Sequence, residues 1–347
     1  MEFFDRYFRD VGIDLGTANT LIYLKHKGLV INEPTVVAIN NKTNQILAVG
    51  EDAKKMLGRT PSHVNVIRPL IGGVISDFEM TQEVLKQFLK RISKGSAFGY
   101  RRGILAIPDN LTEVERKSVE DAALNAGCGK VYLVESPIVA ALGAGLPIDA
   151  PTASLIIDIG GGTTDIAVIS MGGTVISKTL KIAGDRFNED IIRYVREEFR
   201  LAIGEPTAEM TKIAVGSAIP LDERIDVSLR GRDFTTGLPR EIVVRNSNIR
   251  MALSKSLRAI TEATREVIEM TPPELVGDMI KQGIYLCGGG ARLRGLDLLI
   301  EKETAVEAHI ADDPLTCVAR GLGYIVDNFD RHRQLLDNPT RPLSINL

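Results

Sequence analysis

A chain of 347 residues, 44% apolar and 25% charged, has the composition of a globular protein and is too long for one ordinary core. A net charge of −3 leaves no general basic surface and counts against nucleic acid as a partner. Cys128, Cys287 and Cys317 lack metal-type spacing and read as thiols of a reducing cytosol, and the four scattered histidines form no zinc set.

The opening MEFFDRYFRD lacks the long apolar region of a signal peptide. Phe3, Phe4, Tyr7 and Phe8 fall on one face of a two-turn helix, with Glu2, Asp5, Arg6, Arg9 and Asp10 on the other. So short a helix needs a surface, either a membrane or the body of the protein itself. VGID (11–14), LIYL (21–24) and LVI (29–31) follow as strands separated by tight turns. TQEVLKQFLKRI (81–92) places Val84, Leu85, Phe88, Leu89 and Ile92 on one helical stripe. In KGSAFGYRR (94–102), Phe98 and Tyr100 stand beside Lys94, Arg101 and Arg102, a combination suited to an anionic bilayer interface. TEVERKSVEDAALNAG (112–127) predicts a helix opened by a Thr112/Glu115 capping box and closed at Gly127. PIVAALGAG (137–145) predicts a second, with proline in its first turn. The longest nearly uncharged run, 136–148, is too short to span a bilayer.

A second strand triplet then appears: SLIID (154–158), IAVIS (166–170) and TVISKTLKI (174–182). Helical periodicity marks 185–199, on Phe187, Ile191, Val195 and Phe199, and 247–270, which Pro272 and Pro273 terminate. The strand GIYLC leads into a third glycine run at 288–290. Strand triplets heading each half predict an α/β protein with an internal repeat.

The repeated turns are DLGTANT (14–20) and DIGGGTTD (158–165). Glycine leaves backbone N–H groups open to phosphate oxygens, and threonine adds hydroxyl donors with little bulk. An aspartate at each strand end suits Mg²⁺ held through its waters. Neither turn is a Walker loop or a GxGxxG leading a helix. A lone glycine turn is usually only a tight connection, but two matched copies in matched strand contexts point to one polyphosphate ligand.

DLGTANT, DIGGGTTD and CGGGARLRG (287–295) resemble, in order and spacing, the two phosphate motifs and the adenosine motif of the actin, heat-shock chaperone and sugar kinase ATPase superfamily. More narrowly, GIDLGTANTLIYLKHKGLVINEPTVVAI, IRPLIGGVISDFE, IGEPTAE and ADDPLTCVARGLG resemble the MreB family of bacterial actins, over about 11–327. The resemblance implies an actin-like fold: two similar α/β domains with duplicated ribonuclease H-like cores around a nucleotide cleft, each carrying a smaller inserted subdomain. The expected layout is a segment at 1–10, a first domain at 11–145 with an insertion near 33–76 and completion by about 318–340, a second domain at 146–317 with an insertion near 185–250, and a tail at 341–347.

It also implies a site for ATP with Mg²⁺. Gly16, Thr17, Ala18 and Asn19 would meet the phosphates from one hairpin, and Gly160, Gly161, Gly162 and Thr163 from the other. Asp14 and Asp158 would organise the metal, Gly184 and Asp185 would lie beside the nucleotide, Glu209 and Lys212 would approach ribose and base, and Gly288, Gly289 and Gly290 would border adenosine. Head-to-tail paired filaments at the inner face of the cell membrane are implied, with lipid and wall-synthesis proteins such as MreC, MreD and RodZ as partners in setting rod shape. A chaperone of the superfamily would need a peptide-binding domain, for which about 20 residues after the last matched phrase leave no room. A sugar kinase would need a further catalytic aspartate.

One departure stands out. Family members commonly carry glutamate directly before the proline of VESPIVAALGAG; here Ser136 stands there, with Glu135 one residue early. Serine is a poor base near neutral pH, so hydrolysis is expected to be slow. Thr163 and Thr164 are the alternative groups for holding the attacking water.

Overall fold

The computed structural model describes residues 9–93 and 99–336. Contacts divide the chain into two compact units, one made of Met1–Met56, Pro61–Leu146 and Thr316–Leu347, the other of Leu57–Thr60 and Pro147–Leu315.

In the first unit, β1 (Arg9–Leu15), β2 (Asn19–Leu24) and β3 (Gly28–Pro34) form an antiparallel meander. A separate small sheet contains β4 (Val37–Asn40), β5 (Gln45–Val49) and β6 (Val64–Ile67), and β7 (Leu70–Ile71) pairs with β8 (Val74–Ile75). β9 (Tyr100–Ile107) and β10 (Val131–Glu135) then join β1 in parallel, giving the order β10-β9-β1-β2-β3. Parallel neighbours require crossovers, and two amphipathic helices supply them. Phe78–Ile92 is capped by the Asp77 carboxylate and buries Val84, Leu85, Phe88 and Leu89. Glu113–Asn125 starts with the full Thr112/Glu115 capping box.

The second unit repeats this plan. β11 (Ser154–Ile159), β12 (Thr164–Ser170) and β13 (Gly173–Leu180) form the meander. β14 (Leu201–Ala202), β15 (Asp226–Asp233) and β16 (Pro239–Arg245) form the small sheet. β17 (Ile284–Cys287) and β18 (Ala308–Ile310) join β11 in parallel, giving β13-β12-β11-β17-β18. Helices Gly184–Phe199 and Asn246–Met270 cover this core with Phe187, Ile191, Val195, Leu253, Leu257 and Ile260.

One contact in the first unit depends on missing side chains. Helix Ser136–Gly143 packs against helix Cys317–Asp327 with backbone facing backbone at their glycines. A Cβ on Gly143 would fall 1.8 Å from the Cys317 carbonyl oxygen, and one on Gly321 would fall 1.9 Å from that of Val139. The Arg320 guanidinium ties the pair by donating twice to the Gly143 carbonyl, at 3.1 and 2.9 Å.

Candidate functional site

The two hairpins close with the same turn hydrogen bond. In the first, the Gly16 N–H donates to the Asn19 carbonyl at 3.1 Å; in the second, Gly160 donates to Thr163 at 2.9 Å. Asp14 faces Leu21 across β1 and β2, and Asp158 faces Asp165 across β11 and β12, the same seven-residue spacing (21 − 14 and 165 − 158). Each aspartate therefore sits near the carboxyl end of its strand, two residues before the closing glycine, at the edge where open α/β sheets hold ligands.

On the first hairpin, Thr17 is buried and its hydroxyl accepts the Gly73 N–H at 3.0 Å, while Ala18 is exposed. Thr20 and Thr35 share a buried hydroxyl contact at 2.9 Å, and Thr35 donates to the Gly16 carbonyl at 2.7 Å. Asn19 donates to Asn32 at 3.0 Å. These bonds spend side-chain polarity on fixing the loop, so what remains for a ligand is mainly backbone N–H. Asp14 is half-buried, aligned through Ala106 with Val134, and Glu135 follows at the same end of the sheet.

Ser136 and Glu135 are both half-buried at the junction where β10 becomes a helix. Glu135 is the cap residue and makes no side-chain cap bond, and Ser136 is the first helical residue. Along a strand, neighbouring side chains point to opposite faces, but the strand ends at Glu135, so alternation does not set the relative directions of Glu135 and Ser136.

The second hairpin carries more charge. Asp165, a residue without a role in the sequence reading, accepts hydroxyl hydrogens from Thr163 at 3.0 Å and Thr179 at 2.5 Å. Its signal was its place at the end of the DIGGGTTD phrase. Burial, then the facing Asp165 carboxylate, push the Asp158 pKa up to about 7, and a hydrogen bond from the Cys287 thiol pulls it partly back. Asp158 keeps an accessible edge even though its carboxyl is densely surrounded. Gly288 explains how the third glycine run comes so close: it has φ +78°, and a Cβ there would lie 2.4 Å from Asp158 Oδ1. Gly290 packs as tightly on Ile159, and Gly289 lies beside Leu315.

Thr164 is a correction. It is fully buried and its hydroxyl donates to the Ile182 carbonyl at 2.6 Å, so it is not available to hold an attacking water. Thr163, half-buried at the turn, keeps acceptor capacity.

Helix Gly184–Phe199 begins on this hairpin. Gly184 N–H donates to the Gly160 carbonyl at 3.1 Å and Asp185 N–H to that of Gly161 at 2.8 Å. The positive end of the helix dipole is thereby delivered to the glycine turn. Lys212 Nζ donates to the Gly184 carbonyl at 2.9 Å and to Asn188 Oδ1 at 2.8 Å, bringing helix Glu205–Val215 and its half-buried Glu209 to the same place. The second unit thus gathers Asp158, Gly160, Gly161, Gly184, Asp185, Lys212 and Gly288.

Among the expected membrane residues, Phe3, Phe4, Tyr7, Phe8 and Phe98 lie outside the described residues. Tyr100 is a correction: it is 6% exposed in β9, and its hydroxyl donates to the Leu89 carbonyl at 2.9 Å. Burial also raises its pKa to about 12. It is a core residue of the first unit. Among the described residues, no helix is long and apolar enough to cross a membrane.

A family profile described as MreB/Mbl protein matches residues 8–334. The chain belongs to the MreB/Mbl family. It is 47% identical over 325 residues to the cell shape-determining protein Mbl of Bacillus subtilis, covering 94% of this chain and 98% of that one. Identity to the cell shape-determining protein MreB of Escherichia coli K12 is 46% over 331 residues, covering 94% and 95%. The crystal structure of MreB5 of Spiroplasma citri bound to ADP superposes with a TM-score of 0.90 at 39% identity, covering 94% of this chain and 98% of the other. The MamK double helical filament shares the fold, with a TM-score of 0.79 at 22% identity over 92% of this chain and 98% of that one. The MreB/Mbl chain described here is therefore actin-like in fold.

Proposed function

We propose that this MreB/Mbl protein binds ATP with Mg²⁺ through both glycine hairpins and polymerises under nucleotide control into the filaments of a cell shape-determining cytoskeleton. The observation that carries this reading is the doubled hairpin, with Asp14 and Asp158 in the same register ahead of matched turn hydrogen bonds. The ADP and AMPPNP complexes of the Spiroplasma citri relative support it. A chaperone or kinase reading is not favoured by relatives named for cell shape.

Within Gly16–Asn19 and Gly160–Thr163, the turn residues after Gly16 and Gly160, whose own N–H groups close the turns, would donate backbone N–H groups to phosphate oxygens, and the helix end at Gly184 and Asp185 would favour the same negative charge. Glu209 and Lys212 would meet ribose and base, with Gly288, Gly289 and Gly290 beside adenosine. The donors fit a hard cation. They are oxygens, and Asp158 faces Asp165 with a raised pKa that a nearby positive charge would relieve. Among the described residues no cluster of three ligating side chains forms a cage, so Asp14 and Asp158 would act through water. Bound Mg²⁺ would neutralise phosphate charge. Hydrolysis is slow in this reading, because Ser136 stands where a glutamate would orient water.

Head-to-tail addition leaves a contact that does not close and so gives an open polymer. Residues 2–9 and Phe98 would anchor it at the inner membrane face by avidity, beside wall-synthesis partners of the MreC, MreD and RodZ kind. Sedimentation of the purified chain with and without ATP and Mg²⁺, followed by electron microscopy of the pellet, tests the central claim. Pelleting that ignores nucleotide, or no filaments at micromolar protein, overturns it.

A further inference from the structure

The first unit contains an open cavity of about 710 Å³ that the nucleotide reading does not use. It lies between the start of β9, the β10 approach and the segment after helix Cys317–Asp327, and its volume falls in the usual range for small-ligand sites. Arg101, Arg102, Lys130 and Arg333 line it, against one acid, Asp330. Arg102 is held in place and its charge is matched: Nε donates to Asp10 Oδ1 at 3.0 Å and Nη2 to Asp10 Oδ2, and the guanidinium lies 3.7 Å over the Phe329 ring. Phe329 itself stacks edge-on against Tyr132 at 5.1 Å, giving the cavity an apolar wall.

Lys130 and Arg333 are exposed and have no side-chain ion pair or hydrogen bond among the described residues. Two unspent cations, Lys130 and Arg333, on a wall built from the Asp10-paired Arg102 and the Phe329 ring match an anion with several acceptor oxygens and a short carbon backbone. Guanidinium and ammonium groups together suit phosphate, which offers more acceptors than one arginine fork can use. We propose that this cavity binds a glycerophosphate anion, as a free phosphate ester or as the headgroup of an anionic lipid. It draws on the membrane reading only for the lipid source, and on the nucleotide reading not at all.

The test compares the full chain with the double variant Lys130→Gln/Arg333→Gln in nucleotide-free buffer. Both side chains are exposed and unpartnered, so equal thermal melts are expected. Calorimetry with sn-glycerol 3-phosphate and co-sedimentation with phosphatidylglycerol vesicles, phosphatidylcholine vesicles serving as the blank, separate the two sources. The variant should lose about tenfold or more in affinity for whichever source the wild type binds, as expected for losing charged hydrogen bonds. Binding of glycerol phosphate without vesicles would assign the cavity to a free phosphate ester and remove the lipid headgroup as its source. No binding of either probe by wild type, or equal binding by the variant, overturns the proposal.

Discussion

Asp158 and Asp165 face each other on neighbouring strands, and Asp165 already accepts hydroxyl hydrogens from Thr163 and Thr179. Burial first, and the facing Asp165 carboxylate second, raise the Asp158 pKa from 3.8 to about 7. The folded state holds that proton more tightly than the unfolded chain. Its stabilising effect is complete below about pH 4 and disappears as pH rises through 7, a difference of about 4 kcal/mol at full burial. Asp158→Asn should accordingly stabilise the nucleotide- and metal-free protein by a few kcal/mol at pH 8 and change it by less than about 1 kcal/mol at pH 4, read from urea midpoints. A pH-independent difference would show that the carboxyl is solvated. Ser136 gives the second prediction at this scale. General-base assistance and water orientation are worth about 10²–10⁴-fold, so Ser136→Glu should raise phosphate release by at least about tenfold with nucleotide affinity unchanged. Equal rates would place the water-holding role elsewhere, with Thr163 the remaining group on its hairpin.

Helix Phe78–Ile92 and the Thr112/Glu115 box were readable because each follows from local pattern: a 3.6-residue apolar stripe and a three-residue reciprocal cap. The meanders were readable for the same reason. The contact between Ser136–Gly143 and Cys317–Asp327 was not, because 174 residues (317 − 143) separate the two helices and a glycine gives no sign of what approaches it. Tyr100 failed in a related way: an aromatic beside cations looks like an interface until its ring is buried in the core and its hydroxyl reaches the Leu89 carbonyl. Gly321→Ala should therefore cost about 3 kcal/mol or more, or prevent soluble folding, since the new methyl meets backbone that cannot rotate aside. Gly277→Ala is the contrast. It lies in helix Pro273–Gln282 with nothing within 4 Å of the added Cβ, and should stabilise by up to about 1 kcal/mol. Thermal melts of the two variants should move in opposite directions; a tolerated Gly321→Ala would mean that the helices separate easily.

The duplication is the whole-molecule feature that the sequence carried most clearly, because DLGTANT and DIGGGTTD keep one spacing from aspartate to closing glycine and the two five-stranded sheets share one strand order. What the phrases left out was the asymmetry: the second copy puts Asp165 where the first has Leu21, and brings in Gly288, Asp185 and Lys212. If both hairpins act on one nucleotide, the two aspartates form one functional unit, and residues acting as a unit are strongly non-additive. Asp14→Ala and Asp158→Ala should each reduce ATP-dependent pelleting by about tenfold or more, and the double variant should fall little below either single one. Independent sites would instead multiply their losses. Dose-response sedimentation against Mg²⁺ at fixed ATP reads the difference directly: a shared site shifts the midpoint in both single variants alike, whereas a dispensable first hairpin leaves Asp14→Ala at the wild-type midpoint and reduces the repeat to shared ancestry of the two sheets.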